Sequence, residues 1–208
     1  MGCRPSLKSG KLQFDYNFII DQLSGFKHPR VKINDMLKKG EIIRVKKGLY
    51  VFGEAYAHAL YSKETLANLI YGPSYISLEY ALSFYGLIPE RVETITSITN
   101  KRNKRFVTPV GDFCYRYISP SLFPPGVTLH EQDRYHSILI ATKEKALCDV
   151  LYFADPLMDQ DALATYLFQN LRMEKSDLKN LDMKKVKQLS FHYKKNTVLL
   201  SQFLEQTR

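Results

Sequence analysis

The segment LKKGEIIRVKKGLYVF at positions 37–52 constrains the fold more than any other part of the chain. Its pattern predicts a helix that stops at Gly40, followed by two short strands at 42–45 and 49–52 that a basic turn through 46–48 joins. A helix followed at once by a tight hairpin with cations at its tip is typical of the recognition helix and wing of a winged helix-turn-helix. Such a helix fits the major groove of DNA, and the hairpin tip fits the phosphate backbone beside it.

Two helices are predicted before this hairpin. Apolar residues at helical spacing predict a first helix over 15–23, which Gly25 stops. A second helix is predicted from Pro29, where a missing N–H costs nothing, to the residue before Gly40. We expect no separate middle helix between them, so the module would be a shortened winged helix.

Charge is distributed unevenly along the chain. The net charge is +9, and residues 1–53 hold 11 lysines and arginines against 4 acidic residues. Residues 54–170 hold 10 against 13, and residues 171–208 hold 9 against 4. The chain thus has a basic N-terminal part, residues 1–53, called the head, and a following part, called the body, whose residues 54–170 are slightly acidic. This distribution indicates a polyanion-binding module joined to a domain with a different role. The alternative is a solvated surface that is simply rich in lysine.

After Gly53 the pattern changes to that of an α+β body. Strands are predicted at 92–99, 113–118, 127–131 and 137–141, and a basic turn at 101–105. Helices are predicted at 63–70 behind a Ser62 cap, at 77–85, from 143 onward, near 161–171 and at 184–204. The expected fold class is therefore α+β. It comprises a flexible N-terminus at 1–11, a winged helix-turn-helix at 12–56, and a mixed α+β domain with a helical end at 57–208.

The sequence shows neither the signature of a membrane protein nor that of a metal-binding protein. No apolar run approaches the roughly 20 residues that span a bilayer, and no secretory leader opens the chain. Cys3, Cys114 and Cys148 show no CxxC or Cys/His spacing, so neither zinc nor a disulfide framework is expected. We expect a cytoplasmic protein with reduced thiols, no metal, no cofactor and no membrane partner.

Enzymatic signatures are weak. The chain has no Gly-rich phosphate loop, no HExxH and no nucleophile elbow, so no catalytic residue is expected. Glu144 and Asp149 lie five residues apart on one predicted helix, without a third acid on a shared face. A nuclease-like enzyme remains an alternative, because acid-x-Lys spacings occur at 177–179 and 182–184.

Two further blocks follow the hairpin segment in a fixed order: YISLEYALSFYGLIP at 75–89 and ATKEKALCDVLYF at 141–153. Together with 37–52 they resemble the AbiEi-type antitoxins of type IV toxin–antitoxin, or abortive-infection, systems. The resemblance covers about residues 15–155, and residues 157–208 carry no recognised motif.

The resemblance implies two functions, repression of the protein's own promoter and counteraction of a toxin. Such antitoxins have an N-terminal winged helix that binds repeats in their own promoter and represses it. Their C-terminal domain counteracts a nucleotidyltransferase-like toxin, and a stable complex with that toxin is not required. This chain departs from longer relatives in its shortened second helix and compact C-terminal part. A solitary DNA-binding regulator or an interaction module without a toxin would share the same features.

Candidate DNA-binding residues lie on the second predicted helix and on the hairpin. Asn pairs with adenine, Arg prefers guanine, and a valine methyl meets a thymine methyl. The candidates on and before this helix are Lys27, His28, Arg30, Val31, Lys32, Asn34 and Lys38. The hairpin candidates for phosphate contact are Arg44, Lys46 and Lys47. The alternative for each set is an ordinary solvated surface.

Two further basic stretches lie outside the head. The first, at the predicted turn, is a possible second phosphate-binding patch formed by Lys101, Arg102, Lys104 and Arg105. The second is a basic face on the last predicted helix, formed by Lys184, Lys185, Lys187, Lys194 and Lys195. A run of charges at a turn or on a helix is also common on solvated surfaces.

Overall fold

The head consists of two helices and a small antiparallel sheet in the computed structural model, which describes residues 13–54, 61–193 and 196–206. Helix α1 spans Tyr16–Gln22 and begins where the Asp15 carboxylate accepts a bond from the Phe18 N–H at 2.8 Å. Helix α2 spans Pro29–Lys38 with proline in its first turn. Turns and bends occupy 23–27, so no further helix lies between α1 and α2.

The hairpin follows α2 at once. Strands β2 (Ile42–Lys46) and β3 (Leu49–Phe52) pair antiparallel, and Gly48 takes a φ of +86° in the turn between them. Strand β1 (Gln13–Phe14) adds to the outer side of β3, which gives the order β1-β3-β2. The predicted hairpin is confirmed. The two residues of β1 were not predicted, because a strand so short shows no alternation.

Gly53 closes the base of the hairpin. Its N–H donates to the Glu41 carbonyl at 3.0 Å. A Cβ on Gly53 would lie 1.9 Å from the carbonyl oxygen of Gly40, which no real structure tolerates. The backbones at the two ends of the hairpin therefore approach each other more closely than any side chain allows.

The described part of the body contains a six-stranded mixed sheet, so the expected α+β class is confirmed. Its order is β6-β7-β5-β4-β9-β8, with β4/β9 and β5/β7 parallel and the other pairs antiparallel. The strands are β4 (Ser74–Ile76), β5 (Ile95–Thr99), β6 (Lys104–Thr108), β7 (Gly111–Tyr117), β8 (Val127–Glu131) and β9 (Ser137–Ala141). The body helices are α3 (Lys63–Ile70), α4 (Leu78–Phe84), α5 (Lys143–Phe153), α6 (Gln160–Thr165), α7 (Lys175–Lys179), α8 (Met183–Tyr193) and α9 (Asn196–Gln206).

Several body elements differ from the sequence prediction. Helix α7 was not predicted, and the strand predicted at 92–99 begins only at Ile95. The basic stretch predicted as a turn at 101–105 ends inside edge strand β6, which begins at Lys104. The helix predicted near 161–171 is α6 followed by a π-helical turn, Tyr166–Asn170. The helix predicted at 184–204 is two helices, because α8 ends at Tyr193 and α9 begins at Asn196.

Strand β3 joins the head to the body because both of its faces are buried. Tyr50 and Phe52 belong to the head core with Ile33 and Met36. Leu49 and Val51 point the other way, together with Val45 of β2, and belong to the body core. The period-2 alternation of side chains along a strand accounts for this division. The hairpin therefore packs on the body as well as on its own helices.

Candidate nucleic-acid interface

Helix α2 presents a polar face to solvent while its opposite face is fixed in the head core. Ile33 and Met36 are buried and fix the rotation of the helix. The candidate residues on and before the helix that are exposed are Lys27, His28, Arg30, Val31, Asn34 and Lys38. Val31 is 66% exposed and places an apolar side chain within this polar face.

Lys32 lies at the border of this face rather than on it. Its ammonium is 3.7 Å from the Asp35 carboxylate and 5.9 Å from the centre of the Phe26 ring. Asp35 also accepts a bond from Lys39 at 2.9 Å, and this bond and the nearby lysine charges lower the pKa of Asp35. Lys32 is therefore partly buried and has contacts within the head, whereas the other candidates on and before α2 are exposed.

The hairpin candidates separate into two kinds. Arg44 and Lys47 are exposed. Lys46 is turned inward, because its ammonium donates to the carbonyls of Ile70 at 2.5 Å and Leu69 at 3.3 Å. Burial lowers the pKa of Lys46, and the nearby charges of Lys101 and Lys104 lower it further. Lys46 therefore joins the hairpin to the end of α3, where unpaired helix carbonyls accept cations.

The second predicted basic stretch lies next to the hairpin. Lys101 donates to the Gly72 carbonyl at 2.5 Å and lies 5.6 Å from the centre of the Tyr71 ring. Lys104 lies 5.8 Å from the same ring and 5.3 Å from the Phe106 ring. Both lysines are exposed, and both are close enough to Lys46 to affect its pKa. The fold thus brings together two basic stretches that are far apart in sequence.

The two arginines of this stretch differ in their surroundings. Arg105 forms an ion pair with Asp112 of the neighbouring strand at 2.7 Å. Arg102 is exposed beside Asn103, whose side-chain oxygen accepts a bond from the Tyr117 N–H. Of the two arginines, Arg105 is therefore neutralised by Asp112, and Arg102 keeps its charge available at the surface.

Sequence reasoning missed a fully buried polar network in the body. The Asp149 carboxylate accepts hydrogen bonds from Ser77 Oγ at 2.6 Å, from the Tyr75 hydroxyl at 3.1 Å, and from the Tyr193 hydroxyl. The Lys145 ammonium donates to the Tyr193 hydroxyl and to the Leu122 carbonyl, and lies 3.6 Å from Asp149. The i,i+4 spacing of Lys145 and Asp149 within an apolar helix was the available sequence signal.

This network joins β4, the start of α4, α5 and α8. Lys145 and Asp149 have no exposed surface. Burial raises the pKa of Asp149, against the effect of Lys145 and the hydroxyl donors, and burial lowers the pKa of Lys145, against the effect of Asp149. Burial disfavours the charged form of both groups, so the network matters through its satisfied hydrogen bonds, and removing one partner would leave another polar group buried without its bond. Glu144 has a related role, since its carboxylate accepts a bond from the Asp182 N–H at 3.0 Å, just before α8.

Within the described residues, no group of three or more His, Cys, Asp or Glu side chains is placed to hold a metal ion. No helix in the same residues is both long and apolar enough to cross a bilayer. Cys114 is half-buried and Cys148 is buried, each with a free thiol, and Cys3 lies outside the described residues.

Comparison with protein-family models gave no match, and comparison with curated proteins gave none either. The resemblance to AbiEi-type antitoxins therefore stays a prediction from three sequence blocks. Two of those blocks meet in the buried network: residues 75–89 supply Tyr75 and Ser77, and residues 141–153 supply Lys145 and Asp149.

Proposed function

We propose that this chain is a cytoplasmic transcription regulator that binds double-stranded operator DNA near its own promoter and represses it. We further propose that it is the antitoxin of a type IV toxin–antitoxin system and counteracts a nucleotidyltransferase-like toxin. The DNA-binding part rests on one observation, the exposed polar face of α2 followed at once by a hairpin with exposed cations.

Helix α2 supplies the residue types that read base edges. Asn34 suits adenine, Arg30 suits guanine, and the exposed Val31 offers a methyl surface for thymine. The buried Ile33 and Met36 orient this face, so a helix placed in the major groove would keep a fixed register. Arg44 and Lys47 would then contact the backbone beside the groove.

The body adds to the phosphate-binding surface in this proposal. Lys101 and Lys104 lie beside the hairpin, so DNA that follows the hairpin tip would pass near them. Each phosphate that a lysine neutralises releases a counterion and steepens the dependence of affinity on salt.

The antitoxin part rests on the resemblance of the three blocks and on the separate core of the body. A solitary repressor is the second candidate, because the hairpin packs on that core and the body could serve only to support the head. The two candidates differ in whether the body acts on a toxin encoded beside this gene.

The test is fluorescence anisotropy of the full chain with duplexes from its own upstream region and with random duplexes. We expect tighter binding to the upstream duplex, and affinity for both that falls steeply with salt. Asn34→Ala should lose roughly 1–3 kcal/mol on the preferred site and little on random DNA. Asn17→Ala, an exposed asparagine on α1, is the matched control. The absence of binding at low salt would refute the proposal.

Charge variants test the contribution of the body. Lys104→Met should weaken binding to all duplexes alike and lower the salt slope by about one. Arg134→Met removes the same charge from the β8–β9 turn, at the opposite edge of the sheet from β6, and should leave binding unchanged. Equal effects of both variants would show only a general dependence on net charge.

A further inference from the structure

A cavity of about 520 Å³ opens within the helical end of the body, far along the chain from the head. It lies between the segment formed by α6 and the π-helical turn, helix α7, and helix α9. Leu178 and Leu204 lie at its buried side, at 4% and 2% exposure. Cavities of this size hold small organic molecules and are usually apolar with a few polar groups.

The walls keep apolar surface in contact with solvent. Ala164, Phe168 and Phe203 are only half-buried although they line the cavity. A ligand that covers this apolar surface removes it from water, which favours binding. Phe168 belongs to the π-helical turn, where the Leu171 N–H donates to the Tyr166 carbonyl at 2.9 Å. Such turns occur frequently at functional sites.

Two aromatic rings form one wall of the cavity. The Phe168 and Phe203 rings lie 6.2 Å apart at 55°, a distance at which two rings touch each other. The pair therefore forms a continuous apolar wall against which an alkyl chain can lie.

The mouth of the cavity carries positive charge. Lys175 and Lys179 line it from α7, one helical turn apart, and both are exposed. Lys175 lies 5.9 Å from the centre of the Phe168 ring, so its ammonium is at the apolar wall. Lysines above an apolar cavity complement a ligand with one anionic end and an apolar body.

We propose that this cavity binds an unbranched medium-chain carboxylate, with the chain against Phe168, Phe203 and Leu178 and the carboxylate between Lys175 and Lys179. The cavity shares no residue with the proposed DNA-binding surface, so this proposal does not depend on the proposed function.

Isothermal titration of the full chain with decanoate, held below its micelle concentration, tests the proposal. Decanol offers the same chain without the charge, and acetate offers the charge without the chain. We expect one saturable decanoate site per chain and weaker binding of both other probes. A single bound ligand also raises Tm in a concentration-dependent way. Equal affinity for decanol and decanoate, or no saturable binding, would overturn the proposal.

Variants separate this site from general surface binding. Lys175→Gln with Lys179→Gln should weaken decanoate binding about tenfold, the scale of one charge-assisted hydrogen bond, and leave decanol binding unchanged. Lys184→Gln with Lys185→Gln on α8 removes the same charge outside the cavity and should have no effect. Ala164→Phe should fill the cavity and abolish binding. If that variant does not fold, the paired lysine variants decide, and unchanged decanoate affinity in Lys175→Gln/Lys179→Gln refutes the site.

Discussion

At the scale of single residues, two adjacent lysines in the hairpin have different surroundings. Lys46 is held by the carbonyls at the end of α3, whereas Lys47 is exposed at the tip. Sequence alone could not separate them, because both fit a basic turn. The difference arises because the end of α3 offers unpaired carbonyls to a cation on one side of the hairpin only.

Lys46→Met and Lys47→Met should therefore affect different properties, the first stability and the second DNA binding. Lys46→Met should lower the free energy of unfolding by about 1 kcal/mol, because two carbonyls lose their donor at a partly exposed site. Lys47→Met should leave stability unchanged and lower the salt slope of DNA binding by about one. Urea unfolding and anisotropy titrations on both variants measure this. Loss of stability in Lys47→Met would contradict the assignment.

Glu64 gives a pH dependence at the same scale. Burial opposes its ionisation, but hydrogen bonds from the Tyr80 hydroxyl at 2.6 Å, from the backbone and from Ser62 outweigh burial and lower the pKa of Glu64. The unfolded chain then binds more protons than the folded chain on the acid side. This stabilisation is present above the ordinary carboxyl pKa of 4.5 and is lost as pH falls through the lowered, folded-state pKa.

Tyr80→Phe should destabilise the protein most at neutral pH. We expect a loss of about 1 kcal/mol near pH 7, since Glu64 is only partly screened from water, and a smaller loss near pH 4. Tyr85→Phe is the matched control, because its hydroxyl donates to the Ala141 carbonyl rather than to a carboxylate. Urea unfolding at both pH values is the measurement. A pH-independent loss in Tyr80→Phe would refute the role of Glu64.

At the scale of elements, capping residues and apolar periodicity predicted most helices. Ser62 accepts a bond from the Thr65 N–H at 3.0 Å, and α3 begins there as expected. Strand β6 was missed because it is an edge strand with a mostly exposed surface, so its side chains show charge rather than apolar alternation. The alternation of β3 predicted a strand, but not that a second core would cover its other face.

The candidate site was predictable only in part. The exposed face of α2 follows from the 100° helical period, so its residues could be named from the sequence. The proximity of 101–104 to the hairpin depends on how α3 and the sheet pack, and no local pattern carries that information. The buried network was hidden for the same reason, because its five side chains come from separate segments.

Helix α8 should depend on the Tyr193 hydroxyl for its attachment to α5. Tyr193→Phe leaves Asp149 with one donor fewer and Lys145 with one acceptor fewer in a site without water access. We expect a loss of about 2–3 kcal/mol, the cost of an unsatisfied buried polar group near a charge. Tyr135→Phe, at a hydroxyl-bearing side chain that is 59% exposed, should cost little. Denaturant unfolding measures the free energy of unfolding of both variants. Equal stability would exclude a contribution of the Tyr193 hydroxyl to stability.

At the scale of the whole molecule, one face of the head's hairpin packs into the core of the body. Removing the body would expose Val45, Leu49 and Val51, so isolated residues 1–60 would lose part of their packing. Point variants on the surface are therefore the proper means to separate the two proposed roles.

Arg134→Glu is suited to that separation, because Arg134 is exposed in the β8–β9 turn, at the opposite edge of the sheet from the basic stretch at 101–105. The body builds its own core around residues such as Ile76, Ile138 and Leu147, so this surface change should leave the fold intact. If the body counteracts a toxin, surface variants of this region should alter rescue of cells that express the neighbouring toxin gene while operator binding is kept. Anisotropy titration and a growth assay on the same panel of variants give both readouts. A parallel decline of binding and rescue would favour a solitary repressor.

The close approach at Gly53 has a genetic consequence. Its codon should admit no replacement in a saturation library selected for folded protein, because even alanine would collide with the Gly40 carbonyl oxygen. Gly25, whose Cβ position meets no atom within 4 Å, should accept many codons under the same selection. Among descendants of this gene, Gly25 should therefore be replaced often and Gly53 should be retained, although both glycines follow a secondary-structure element of the head.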